Sequence, residues 1–178
     1  RNMSAGELLL ALALDALCKP LTVSVMLDSN GSNTTAVAAV AKIEQALGDL
    51  RGKKAVILAG TGPVGQRSAG LLARDGVNVT ITSRKPEQGE KARQFISARF
   101  NVAVEATTLA DPGALEKVLD GAEILLNSGP AGVQMVPAAA DRFDKIDILI
   151  NNAGVVAHKL LIEMVRDTWS RQIDVQLT

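Results

Sequence analysis

Apolar residues along this chain fall into short continuous runs and longer, helix-like stretches, and the two kinds alternate. The stretch "SAGELLLALALDAL" (4–17) places Ser4 three residues before Glu7 and then runs apolar without a break, which predicts a capped and largely buried helix. A β-rich segment, "LTVSVMLD" (21–28), predicts a strand; the turn-forming "SNGSN" follows, and then an Ala/Val-rich helix over 34–50. Strands are expected at 53–60, 77–83, 102–108, 122–129 and 146–154, the first of them a short apolar run suited to burial on both faces. Helices are expected between them, at 64–75, 86–100, 112–120 and 133–142, and an amphipathic helix over 157–177 follows the last strand.

Strict strand–helix alternation of this kind demands a parallel sheet, because right-handed crossovers carry the helices onto its faces. The expected class is therefore α/β, a doubly wound parallel sheet with helices on both faces. Composition adds mainly exclusions. The 178 residues carry 19 basic and 19 acidic side chains, so no charge excess points to nucleic acid or an anionic membrane. A small molecule is the expected partner, and a homo-oligomer is compatible with it. Aromatic residues are 2% of the total and tyrosine is absent, which removes base-stacking platforms and one common proton donor. Cys18 is the single cysteine, and no signal segment or long apolar span is present, so a cytoplasmic setting is expected. The start at Arg1 and the end in "IDVQLT" read as a piece of a longer fold.

The first motif with chemistry lies in "VILAGTGPVGQRSAG" (56–70), where Gly60, Gly62 and Gly65 have G-x-G-x-x-G spacing between an expected strand and an expected helix. Three glycines alone are weak; that context makes them a dinucleotide fingerprint. Gly60 is read as the tight turn, Gly62 as the close approach to a pyrophosphate and Gly65 as the helix contact, with Thr61, Pro63 and Val64 completing the loop. At the end of the next strand NAD-binding versions place an acid, whereas here "TSRKPEQ" supplies Ser83, Arg84 and Lys85. A hydroxyl and two cations suit a 2′-phosphate, so NADP is the expected cofactor. Asn127, Ser128 and Gly129 end one expected strand and Asn151, Asn152 and Gly154 another, which puts both sets at the carboxyl edge where such sheets bind ligands. For the second set a role in tying loops together stands beside cofactor contact.

The stretches "VSVMLDSNGSNTTAVAAVAKI", "GKKAVILAGTGPVGQRSAGLLARDG" and "TSRKPEQGEKA", with "LLNSGPAG" at 125–132, closely resemble bacterial NADP-dependent methylene-tetrahydromethanopterin dehydrogenases, whose members also use methylene-tetrahydrofolate. The resemblance spans about residues 3–137. It implies that 1–50 is a remnant of the pterin-side domain with its connecting helix and 51–178 a Rossmann-like NADP-binding domain. It also implies that Asn30, Ser32, Asn33 and Thr35 make polar contacts in the pterin cleft; the chemistry of "DSNGSNTT" alone fits a loop and helix cap in which Asn33 or Thr34 bonds exposed N–H groups equally well. From about Asp141 the likeness changes: "DRFDKIDILINNAGVV" and "RDTWSRQIDVQLT" resemble a strand and helix of short-chain dehydrogenases, so 141–178 reads as a splice from a second family. That family's Tyr-x-x-x-Lys pair is impossible in a chain without tyrosine, and Gln176 stands where its helix usually has Asn.

The absent base bears on mechanism. Alcohol oxidation needs a residue to take the hydroxyl proton. Oxidation of an N,N′-methylene bridge does not, because hydride leaves carbon and the adjacent nitrogen lone pairs stabilise the cation, leaving positioning and electrostatics as the protein's task. No catalytic residue is assigned. His158, the one histidine, has no metal-spaced neighbours and is read as a surface residue, Trp169 as packing and Cys18 as a small buried hydrophobe; no metal is expected. The expected activity is hydride transfer between methylene-tetrahydromethanopterin or methylene-tetrahydrofolate and NADP. The alternatives are a short-chain carbonyl or alcohol reductase and a chimeric or truncated domain that binds NADP without turnover.

Overall fold

The computed structural model describes residues 3–17, 23–109, 112–129 and 150–151. Helix α1 (Met3–Asp15) is followed by a single 3-10 turn (Ser29–Gly31) and helix α2 (Ser32–Leu47). Strand β1 (Lys54–Leu58), helix α3 (Pro63–Arg74), strand β2 (Asn78–Ser83), helix α4 (Pro86–Phe100) and strand β3 (Glu105–Thr108) then alternate. Helix α5 (Pro112–Leu119), strand β4 (Ile124–Asn127) and strand β5 (Ile150–Asn151) complete the described elements. All four strand pairs are parallel and the order is β3-β2-β1-β4-β5, the doubly wound arrangement of a Rossmann-like sheet.

Side-chain alternation along β1 explains the two layers. Ala55 and Ile57 join a core with Ala39 and Ile43 of α2, Leu72 of α3 and Ile96 of α4, while Val56 and Leu58 point the other way and pack with Leu119 of α5. These four of the five β1 residues are fully buried, which is why this strand reads as an unbroken apolar run. Each large side chain so buried contributes about 1.5–3 kcal/mol. The winding reverses between β1 and β4, and the crevice at their carboxyl ends is where open parallel sheets bind ligands. Asn151 lies in register with Asn127 there, so residues 150–151 of the strand expected at 146–154 join the sheet that contains β1.

Two expectations at the amino-terminal side are corrected. The segment 23–28 forms no strand; Val23 is 67% and Met26 81% exposed, because β-rich composition needs a neighbouring strand and none of the described residues places one beside it. Helix α1 forms but is not largely buried: Leu8, Leu9, Leu12 and Leu14 are all more than half exposed. A helix apolar all round covers only the face that its own chain meets. Smaller shifts trim β3 to start at Glu105, after Asn101 in left-handed conformation ends α4. The expected helices over 133–142 and 157–177 lie outside the described residues, as do Asn152, Gly154, Cys18, His158 and Trp169.

The packing difference predicts a contrast. Ile57→Ala should lower unfolding free energy by about 2–5 kcal/mol, and Met26→Ala should change it by less than about 0.5 kcal/mol. Urea unfolding of both variants measures this, and a large loss at Met26 would show that segment 23–28 is covered after all.

Candidate functional site

The glycine loop 60–65 begins where β1 runs out. The Ala59 N–H donates to Thr82 Oγ1 at 3.1 Å and the Gly60 N–H to the Thr82 carbonyl at 3.0 Å, so the end of β2 holds the turn by side chain and backbone together. The spacing assigns the tight turn to Gly60, but the left-handed residue is Ala59 (φ 53). Gly60 is required for space: a Cβ there would stand 2.6 Å from Ile81 Cβ. Gly65 is required in the same way, since its Cβ would meet Ser128 Oγ at 2.5 Å and Gly60 Cα at 2.8 Å. Gly62 is different. Its φ is −77° and the only atom near an added Cβ is Ala59 O at 3.8 Å, so the missing side chain leaves open space in front of the loop. Pro63 occupies the first turn of α3, where its lack of an N–H is harmless and its fixed φ suits the helix. Val64 and Gly65 follow, and N–H groups in this first turn have no intrahelical acceptor. Gln66 Nε2 donates to the Thr61 carbonyl at 2.5 Å and braces the loop from behind.

At the end of β2, Ser83 is buried; its Oγ accepts from the Lys85 N–H at 3.2 Å and donates to the Lys85 carbonyl at 2.8 Å. The expected hydroxyl donor is thus already committed to shaping the turn, while Arg84 and Lys85 are exposed on it. On the other side of the crevice, Ser128 Oγ lies 2.8 Å from the Leu58 carbonyl and 3.1 Å from that of Ala59, tying the β4 loop to β1. Asn127 is buried, and its Oδ1 accepts from the Gly129 N–H at 3.1 Å. Asn151 is placed at the same edge by its register.

The loop 28–35 closes against the same helix. Its cap is Asp28, whose Oδ1 accepts from the N–H groups of Asn33 (2.9 Å) and Thr34 (3.2 Å) while Oδ2 accepts from Thr34 Oγ1 at 2.6 Å. The bond from the Thr34 hydroxyl is the first cause of a lowered Asp28 pKa. The expectation that Asn33 or Thr34 supplies the cap is therefore corrected to Asp28, which reaches α2 across the 3-10 turn. Ser32 is buried and donates to the Ser29 carbonyl at 2.8 Å. Asn33 uses both ends of its amide, donating from Nδ2 to the Leu27 carbonyl at 2.6 Å and accepting at Oδ1 from Arg67. Asn30, left-handed and exposed, and Thr35, half-buried, complete the four.

Sequence reasoning missed Arg67 and Thr82. Arg67 is 2% exposed, and burial draws its pKa below the ordinary value against the opposing pull of the Glu7 carboxylate. The signal was there: it is the one charge within "PVGQRSAGLLA", a helix segment whose other residues, Gln66 apart, are small or apolar. Glu7 reaches it because Gly6 packs directly on Ser29 and brings α1 close. A cleft of about 610 Å³ opens between α1, the glycine loop and α4, lined by Glu7, Thr61, Gln66, Gln88, Lys91 and Phe95. Among the described residues no three His, Cys, Asp or Glu side chains are placed to share a metal ion, and no helix is long and apolar enough to cross a membrane.

No protein-family model matches the chain. It is 44% identical over 140 residues to bifunctional protein MdtA of Methylorubrum extorquens, an alignment covering 78% of this chain and 49% of that protein. It is 32% identical over 132 residues to the NAD(P)-dependent methylenetetrahydromethanopterin dehydrogenase of the same organism, covering 71% of this chain and 44% of that one. The chain is a relative of nicotinamide-dependent oxidoreductases. It spans about half the length of the curated relatives it matches. Among solved structures, shikimate 5-dehydrogenase from Listeria monocytogenes is similar at a TM-score of 0.48 and 18% identity, over 76% of this chain and 57% of that one.

Two outcomes test the site's physics. Ala59→Gly should raise unfolding free energy by about 0.5–1 kcal/mol, the left-handed penalty of roughly 1–2 kcal/mol less the added chain entropy of glycine; a loss in denaturant unfolding would mean that the Ala59 methyl contributes more by packing. Asp28 has a folded pKa depressed below its ordinary 3.8, so its contribution to stability is complete above that pH and is lost as the pH falls through the folded value. The stability gap between wild type and Asp28→Ala should accordingly be constant near neutrality and shrink below about pH 4. A gap unchanged at acid pH would rule out the carboxylate as the cap.

Proposed function

We propose that this chain is the NADP-binding part of an oxidoreductase that transfers hydride between the methylene group of methylene-tetrahydromethanopterin or methylene-tetrahydrofolate and nicotinamide. The observation that carries it is the open space at Gly62, in a glycine loop at the sheet's winding reversal, beside a β2 end that presents Arg84 and Lys85 and no acid. The similarity to the methylenetetrahydromethanopterin dehydrogenase named above supports the substrate class. In this reading 51–178 is the cofactor domain and 1–50 is the pterin-side portion.

Residues Gly60 to Gly65 would hold the pyrophosphate against the first turn of α3, where oriented N–H groups favour an anion. Arg84 and Lys85 would hold the 2′-phosphate, with Ser83 setting their turn. The loop Asn127, Ser128 and Gly129, with Asn151, would border the nicotinamide, which supplies the carbon that accepts or releases hydride. Asn30 and Thr35 would contact the pterin, while Ser32 and Asn33 keep the loop in shape. These residues are asked to orient and to exclude water, not to move a proton, because the methylene bridge carries its own stabilising nitrogens. A cytoplasmic location belongs to the same reading.

Titration of NADP and NAD into wild type and Arg84→Ala, followed by addition of methylene-tetrahydrofolate with NADPH absorbance recorded, tests the proposal. A charge-assisted hydrogen bond is worth roughly 1.5–3 kcal/mol, so Arg84 should favour NADP by about 10- to 100-fold, toward the lower end because it is exposed. The variant should lose that preference with NAD binding little changed, and turnover by this chain alone should be weak. Equal losses for both cofactors would assign Arg84 to the fold, and a wild type that binds neither would overturn the reading.

A further inference from the structure

Three segments distant in sequence meet at one buried cation. The Arg67 side chain is 3% exposed. Its Nη1 donates to the Pro63 carbonyl at 3.1 Å, at the phosphate-loop end of its own helix. Its Nε donates to Asn33 Oδ1 in the 28–35 loop, and its Nη2 pairs with Glu7 Oε1 of α1 at 3.2 Å. Both partners are themselves held. Asn33 Nδ2 is bonded to the Leu27 carbonyl, and the second oxygen of Glu7 takes Arg99 of α4 at 3.0 Å.

A guanidinium is planar and its donors point in fixed directions, so three acceptors around it cannot move independently. Buried, it also cannot exchange a lost acceptor for water without leaving its place. If the 28–35 loop withdraws Asn33, the guanidinium must turn toward what remains, and the contact with Pro63 turns with it. Pro63 directly follows Gly62, the open position of the phosphate loop.

We propose that Arg67 is a positioning residue that couples the 28–35 loop to the phosphate loop, so that the seating of the first sets the affinity of the second for its cofactor. The proposal rests on the reading of these loops as the pterin and NADP sides of one site. Linkage makes the effect mutual: cofactor bound at the phosphate loop holds the 28–35 loop in the same degree.

The test measures NADPH affinity by fluorescence titration in wild type, Asn33→Ala, Asn33→Asp and Arg67→Lys, with thermal unfolding recorded in parallel. Asn33→Ala removes the acceptor for Arg67 and should weaken NADPH by about tenfold, within the range usual for coupling between sites. Asn33→Asp keeps an acceptor for Arg67 but loses the donor to Leu27, and should restore most of that affinity even where the unfolding temperature stays low. Arg67→Lys should weaken NADPH similarly, and adding Asn33→Ala to it should cost little more, since both break one link. Unchanged NADPH affinity in Asn33→Ala overturns the proposal. So does an equal loss in the Ala and Asp variants that follows their unfolding temperatures, because the loop would then act only through the fold. A wild type that does not bind NADPH overturns the cofactor reading itself, which separates the two failures.

Discussion

Gly60 stands where β1, β2 and α3 come so close that no side chain fits, and the arrangement of the site follows from that contact. The Ile81 side chain fills the space in front of it, and Gly65 of the α3 first turn lies against its backbone. Ser128 then closes the cluster by bonding to the carbonyls of Leu58, the last residue of β1, and Ala59. The amino end of α3 is thereby pressed onto the carboxyl edge of the sheet at its winding reversal. An anion-favouring helix end and a crevice coincide because the glycines let them. The strain that this geometry imposes falls on Ala59, held left-handed by Thr82 from the neighbouring strand.

Behind the glycine cluster, the polar network around Arg67 does a different job. A buried ion pair adds little net stability, since desolvation opposes the attraction, yet removing one partner costs about 3–5 kcal/mol by stranding the other charge. Such a network therefore selects one arrangement of its neighbours. Here the neighbours are α1 through Glu7, the 28–35 loop through Asn33 and the glycine loop through Pro63. Asp28 reinforces the same loop from its exposed side by capping α2. Two loops that would face substrate and cofactor are thus fastened to each other through side chains and not through the sheet.

The amino-terminal segment carries the opposite lesson about pattern. Local preference is enough to make α1 a helix, but hydrophobicity does not name the surface that covers it, and four of its leucines are left exposed by the described residues. In the same way 23–28 has strand composition and, among the described residues, no strand beside it. A β preference reflects fit to a neighbour, so it is empty until a neighbour is placed.

What the sequence by itself determined is whatever depends on near neighbours or on a strong period. The alternation of apolar strands and helices specified the parallel sheet, and the order of elements from β1 to β4 follows it within a few residues. The glycine spacing and the missing acid after β2 were legible because each is a local requirement: a close approach, or a charge at a strand end. Tertiary structure decided the rest. Only packing could show that Gly60 yields space to Ile81 while Ala59 takes the turn, that the Ser83 hydroxyl is spent on Lys85, and that Asp28 rather than Asn33 or Thr34 caps α2. Arg67, Glu7 and Asn33 are 34 and 60 residues apart along the chain, and no periodicity connects them. They meet because α1, the 28–35 loop and α3 fold onto one another, and a buried charge must collect its acceptors from wherever the chain has brought them.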